Sequence, residues 1–206
     1  MKKLLFVALL SIFLTSFKKS ETINLAEFKE RNMISNKTIY IQPLGTVSPE
    51  YIAFVKKSVK AFYGYDCVVK SQKEITDDML SPIKKRIDAN KALLNNKSND
   101  NLLIITEKDI CHKKDIKNPE WGVFGLGLRP GKTCIISTFR LRKNVSKQKT
   151  LERLEKVALH EIGHNLGLNH CTNDKKCMMN DANGTIKQVD AEKIWFCEEC
   201  MAQIKS

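Results

Sequence analysis

Three histidines, a glutamate and a cysteine crowd into HEIGHNLGLNHC, residues 160–171 of a 206-residue chain that has four histidines in all. Imidazole and carboxylate groups at such spacing do two kinds of chemistry: they ligate metal ions and they move protons. At background frequencies, the five fixed positions of HExxHxxGxxH arise by chance in roughly one chain of this length in 10⁵. A bare HExxH would carry far less information.

Helix geometry turns the spacing into a site. Upstream, Leu151, Leu154, Val157, Ala158 and Ile162 recur every three or four residues, which predicts a helix with one buried stripe, capped by Thr150. At about 100° per residue, His160 and His164 lie one turn apart on nearly one face and can reach the same ion. His170 joins them only if the helix stops, because six more helical residues would carry it roughly 9 Å past His164. Gly167 is placed to stop it, since glycine enters the left-handed conformation without a Cβ clash.

Three neutral imidazoles leave one position of a tetrahedral zinc open to water, the arrangement of a catalytic site. Glu161, beside a ligand on the same turn, is placed to accept that water's proton as general base. A purely structural ion has no use for the glutamate.

HExxHxxGxxH followed by HCTNDKKCMMNDANGTIKQVDAEKIWFCEEC resembles the archaemetzincin family of metzincin zinc metalloproteases, whose pattern adds two cysteine pairs around a methionine. The one departure is five residues between Cys171 and Cys177 where the family pattern has four. The resemblance spans roughly residues 38–200. It implies His160, His164 and His170 as catalytic zinc ligands, Glu161 as base and Met179 as the methionine of the turn beneath the site, with Met178 its neighbour and competitor. No tyrosine follows Tyr65, so the tyrosine ligand that some other metzincins draw from this turn is excluded. The resemblance also implies a substrate edge strand around WGVFGLGLRPGKTC, where Gly125 and Gly127 would let an extended peptide approach. A strand bent at its glycines for packing accounts for them equally well. A phosphate-loop reading of Gly125 and Gly127 fails because the segment leads into a strand.

Cys171, Cys177, Cys197 and Cys200 supply four thiolates, enough for a closed structural zinc site stapling a small lobe that lacks apolar area of its own. The expected complement is therefore two zinc ions. Disulfides between these cysteines, and a redox CxxC at Cys197 and Cys200, stand as alternatives. Cys67 and Cys134 sit among strand-like neighbours and read as small buried hydrophobes. Cys111 and His112 are adjacent strand residues facing opposite ways, which argues against a shared ion.

These groups need positioning elements. TIYIQPLG, DCVVK and NLLIITE read as strands. SPEYIAFVKKSVKAFYG reads as a helix starting at Ser48 and stopping at Gly64, and MLSPIKKRIDANKALLN as a second helix. WGVFGLGLRPGKTCIIST reads as a hairpin turning at Pro130 and Gly131. Alternating strands and helices give an α/β class: one metzincin-like domain over residues 21–206, a mixed twisted sheet with a catalytic helix and a small zinc-stapled C-terminal lobe.

Residues 1–20 have a basic start and an apolar run from Leu4 to Phe17, too short for a comfortable membrane span, and read as an export signal or N-terminal anchor. A buried core helix and a cytoplasmic protein are the alternatives. The net charge is +12; four lysines and no acid lie in residues 1–19, and the remaining basic residues are scattered without aromatic interleaving, against a nucleic-acid platform. The sequence thus indicates a monomeric zinc metallopeptidase acting on peptides or proteins. The competing reading is a zinc-stabilised peptide-binding or scaffold protein without turnover. Cell fractionation with protease protection is expected to find the chain outside the cytoplasmic membrane, shortened near Ser16 to Ser20 or tethered by its apolar run; soluble full-length cytoplasmic protein contradicts the export reading.

Overall fold

The computed structural model describes residues 37–204; the expected signal or anchor segment lies outside them. β1 (Thr38–Pro43), β2 (Asp66–Val69), β4 (Asn101–Thr106) and β8 (Thr133–Ser137) run parallel in the order β2-β1-β4-β8, and β7 (Gly125–Gly127) joins β8 antiparallel as the outer strand. A separate three-stranded sheet, absent from the sequence reading, orders β3 (Ile87–Asp88), β5 (Ile110–His112) and β6 (Trp121–Val123) as β3-β5-β6. The expected hairpin is therefore β7 and β8 alone, and Trp121–Val123 pairs elsewhere.

The central strands are apolar on both faces because both are covered. Leu103 and Ile105 of β4, with Cys134 and Ile136 of β8, point to a core shared with α1 (Pro49–Tyr63), α3 (Lys147–Asn165) and the C-terminal lobe. Leu102, Ile104 and Ile135 point the other way, onto a second cluster with α2 (Ala89–Asn95). The small hydrophobe reading of Cys67 and Cys134 holds, since both are buried and free.

Capping chemistry sets the helix limits. Ser48 accepts from Glu50 N–H, and Gly64 ends α1 at φ 77°, as expected. The expected helix from Met79 shrinks to Ala89–Asn95 because Asp88 caps at the later position, accepting from the Asn90 and Lys91 N–H groups, while Ile87 pairs with Ile110. The cap of α3 is Ser146 rather than Thr150: Ser146 Oγ accepts from Lys149 N–H, and Thr150 sits inside the first turn, its hydroxyl donating to the Ser146 carbonyl.

The lobe holds α4 (Ile186–Ala191) and α5 (Glu198–Gln203) and is tied to α3 by a buried arginine. Arg153 grips Asp190 with Nε and Nη2 at 2.8 and 2.6 Å and donates from Nη1 to the Leu141 carbonyl at 2.9 Å. Among the described residues no helix is long and apolar enough to cross a membrane.

The Arg153 hydrogen bonds hold the Asp190 carboxyl below its ordinary pKa. With the folded value the lower one, this contribution is complete above the unfolded carboxylate pKa and is lost as pH falls through the folded value. Arg153→Ala should cost on the order of 2–3 kcal/mol, and thermal melts across the acid range should show it losing less on acidification than the parent. Equal melts at neutral pH would contradict the tie.

Candidate metal centre and catalytic site

α3 carries His160, Glu161 and His164 and ends at Asn165. Gly167, at φ 100°, donates to the His164 carbonyl at 2.9 Å, and Leu168 N–H donates to the Gly163 carbonyl at 3.0 Å. This is the double hydrogen bond of a Schellman close, and it turns the chain back as the glycine predicted. The three histidines converge, with one ring nitrogen from each within 4.8 Å of the others and His164 Nε2 3.2 Å from His170 Nε2.

The surroundings prepare these rings for a cation. His160 Nδ1–H donates to the Met178 carbonyl at 2.7 Å and His164 Nδ1–H to the Leu168 carbonyl at 2.8 Å, so each Nε2 keeps a lone pair facing the centre. Burial pushes the two imidazoles down to about 3 and about 4, which keeps them neutral. A tetrahedral zinc holding nitrogens at ~2.0–2.1 Å requires N···N separations of about 3.3 Å. The donor set fits that ion.

Glu161 is buried, and burial pushes its carboxyl up to about 8, opposed by a backbone hydrogen bond from Gly127. A dication in the adjacent tripod would draw it back toward the ionised form. The glycines of β7 have their reason here. A Cβ on Gly125 would fall 2.5 Å from Glu161 Oε1, and one on Gly127 would fall 2.8 Å from the Glu161 carbonyl oxygen and 3.0 Å from His164 Cβ. Their bare faces admit the catalytic helix itself, so packing explains both, while β7 remains the outer strand of its sheet.

Met179 packs against α3 at Gly163. Gly163, between the first two ligands, leaves room for its thioether: a Cβ there would fall 2.6 Å from Met179 Sδ. Met178 contributes through its carbonyl instead. The Met179 carbonyl accepts from Cys171 N–H at 2.7 Å, which links this turn to the residue after His170.

Cys171, Cys177, Cys197 and Cys200 are all buried, with their sulfurs within 4.8 Å of one another. Cys171 and Cys197 are 3.6 Å apart and Cys177 and Cys200 3.7 Å, far beyond the ~2.05 Å of a disulfide and close to the ~3.8 Å edge of a zinc–thiolate tetrahedron. All are free thiols here. The hydrogen bond shared with Cys200 draws Cys177 down to about 5 and raises Cys200, while burial raises Cys197.

A cleft of about 460 Å³ opens over the tripod. The fourth histidine, His112, reaches its wall beside Trp121, its cross-strand partner on β5 and β6, whereas Cys111 points into the protein, so the two side chains diverge. Periodicity could not reveal that His112 faces the site, because the contact depends on a sheet of three short strands. Gly163 did leave a signal: a glycine inside a strong helix costs about 1 kcal/mol relative to alanine and asks for a packing reason.

Taken together, the mixed sheet, the helix with its reversed third histidine and the cysteine cluster define a metal-dependent peptidase of metzincin type. A family model described as peptidase family M54 matches residues 81–206. The archaemetzincin of Methanocaldococcus jannaschii is 31% identical over 183 residues, covering 84% of this chain and 96% of that protein. The crystal structure of archaemetzincin from Archaeoglobus fulgidus, complexed with malonate, is similar at a TM-score of 0.72 and 29% identity over 81% of this chain and 99% of that one. The archaemetzincin of Methanopyrus kandleri shares the fold at a TM-score of 0.68 and 24% identity, over 81% of this chain and 92% of that one. The chain belongs to peptidase family M54, the archaemetzincins, and is a zinc metallopeptidase.

Gly163→Ala should lower the melting temperature and weaken metal binding roughly 10-fold, by driving Met179 from its place against α3. Ordinary helix propensity alone would have it gain about 1 kcal/mol. In a Met179→Ala background the loss should shrink, a coupling that melts and zinc titrations of the double-mutant cycle measure. Stabilisation in the parent background would contradict the contact.

Proposed function

We propose that this chain hydrolyses peptide bonds at the histidine tripod with Glu161 as general base. The observation that carries the reading is the pairing of a three-histidine centre with a buried carboxylate on the same helix turn, facing one cleft. Zinc, when bound, supplies a Lewis acid that acidifies a water and polarises the scissile carbonyl. His160, His164 and His170 hold it through their lone-pair nitrogens. Glu161 takes the proton of the attacking water and hands it to the leaving amine, and its poor solvation keeps its basicity high. β7, the outer strand of its sheet, offers the part of its backbone edge that Gly127 does not commit to Glu161 to an extended substrate by strand addition, which fixes the scissile bond against the tripod.

The reading extends to a second zinc held by Cys171, Cys177, Cys197 and Cys200 in a structural role, supported by the soft four-sulfur donor set and its burial. It also extends to a monomer, exported or tethered through residues 1–20 of its single metallopeptidase domain (21–206), that uses no nucleic acid. The apolar N-terminal run and the scattered basic residues support this.

Glu161→Ala should keep its metal and lose roughly 10²–10⁴ in hydrolysis rate on a peptide library. Equal turnover by parent and variant would contradict the assigned role. Absence of turnover in both, with zinc bound, would favour the scaffold reading.

A further inference from the structure

The cleft continues past the ligands toward the start of α3. Val157, one turn before His160 on the same face, lines it together with Val189 and Glu192 of the lobe. Glu192 caps α4, its N–H donating to the Gln188 carbonyl at 3.1 Å, and it is 6% exposed. One carboxylate oxygen, Oε1, accepts from Gln188 Nε2 at 3.2 Å. Oε2 has no hydrogen-bond or ion-pair partner among the described residues. Among the described residues the fully enclosed polar side-chain atom without a partner is Thr138 Oγ1, so Oε2 is not fully enclosed, and Glu192 lines the cleft.

Lys156 lines the same cleft and attracts Glu192, but no ion pair within 4 Å joins the two, and the hydrogen bonds of the nearby cations go elsewhere. Lys156 Nζ donates to the carbonyls of Val189 and Asp190 at 2.8 and 3.3 Å, at the C-terminal end of α4. Lys149 and Arg153 are committed to Asp190. A carboxylate so enclosed is short of solvation. It is therefore complemented by a charged N–H donor brought from outside. The two valines suit the methylene stem that carries such a donor.

We propose that Glu192 is a specificity-determining residue: with Val157 and Val189 it forms a subsite adjoining His160 for a substrate's ammonium or guanidinium group, so that peptides with Lys or Arg flanking the scissile bond are preferred. The inference rests on the peptidase reading above and names its substrate class. A free α-ammonium carries the same chemistry and is the other source of the cation.

The test compares kcat/KM of the zinc-loaded full chain on peptide pairs with Lys or its neutral isostere norleucine at the flanking positions, each with a free or an acetylated N-terminus. Lys should be preferred by roughly 10-fold or more. The Lys to norleucine ratio should fall toward 1 in Glu192→Gln, and Glu192→Asp, which keeps the charge, should retain part of it. A Lys preference that survives acetylation assigns the cation to the side chain, whereas a Glu192-dependent fall in kcat/KM on acetylation, equal for Lys and norleucine peptides, assigns it to the α-ammonium. An equal Lys to norleucine ratio in parent and Glu192→Gln together with an equal effect of acetylation, or a preference for acidic residues, overturns the subsite. Calorimetric binding of the same peptides to zinc-loaded Glu161→Ala separates the two levels. Glu192-dependent selectivity in binding without turnover by the parent sinks only the peptidase reading, and cleavage of norleucine peptides with neither a Lys preference nor a Glu192-dependent effect of acetylation sinks only the subsite.

Discussion

The reversal at the end of α3 is the constraint on which the site depends. A helix places two imidazoles on one ion by itself, but the third must come back along a direction the helix cannot supply. Gly167 at φ 100° makes the turn, and the close reuses helix carbonyls left without partners. The same turn delivers the Leu168 carbonyl to His164 Nδ1 and so fixes that ligand's tautomer. Stopping the helix and preparing its last ligand are one event.

From that turn the requirements spread outward. The residue after His170 is Cys171, whose backbone bonds Met179 and whose thiol enters the sulfur cluster. The lobe is thereby joined to the ligand strand at its first residue, and Arg153 ties it to α3 a second time. On the other side, the glycines of β7 let the sheet press directly against Glu161, which removes water from the carboxylate and raises its basicity. A side chain larger than hydrogen at Gly125, Gly127 or Gly163 would separate the helix from one of its supports. At Gly125, Gly127 and Gly163 glycine is used for close approach, and at Gly167 for its backbone freedom.

Much of this was legible because it is local. Ligand spacing, the stop at Gly167, the Ser48 and Gly64 limits of α1 and the core strands follow from periods and caps within a few residues. What the sequence withheld depends on contacts between distant segments. MLSPIKKRI has helical spacing, but Ile87 is taken by pairing with Ile110, and Asp88 then caps a shorter helix. Thr150 looked like the cap because the apolar stripe starts beside it, whereas Ser146 begins a polar first turn that the stripe does not mark. The glycines of β7 had two readings whose choice required knowing what lay across from them. His112 and Glu192 enter the cleft from a three-stranded sheet and a one-turn-and-a-half helix, elements too short to leave a period.

The central claim is that one chain builds two zinc centres of different kind, an open histidine tripod that works and a closed thiolate site that holds its third ligand's segment in place. Zinc stoichiometry with X-ray absorption, taken before and after mild chelation, tests it most directly. Two ions per chain are predicted, the first leaving with activity and the second remaining in a shell of four sulfurs at about 2.3 Å. A single zinc per chain accompanied by a disulfide among Cys171, Cys177, Cys197 and Cys200, or a zinc removed by mild chelation from a sulfur shell while activity persists, would contradict the account.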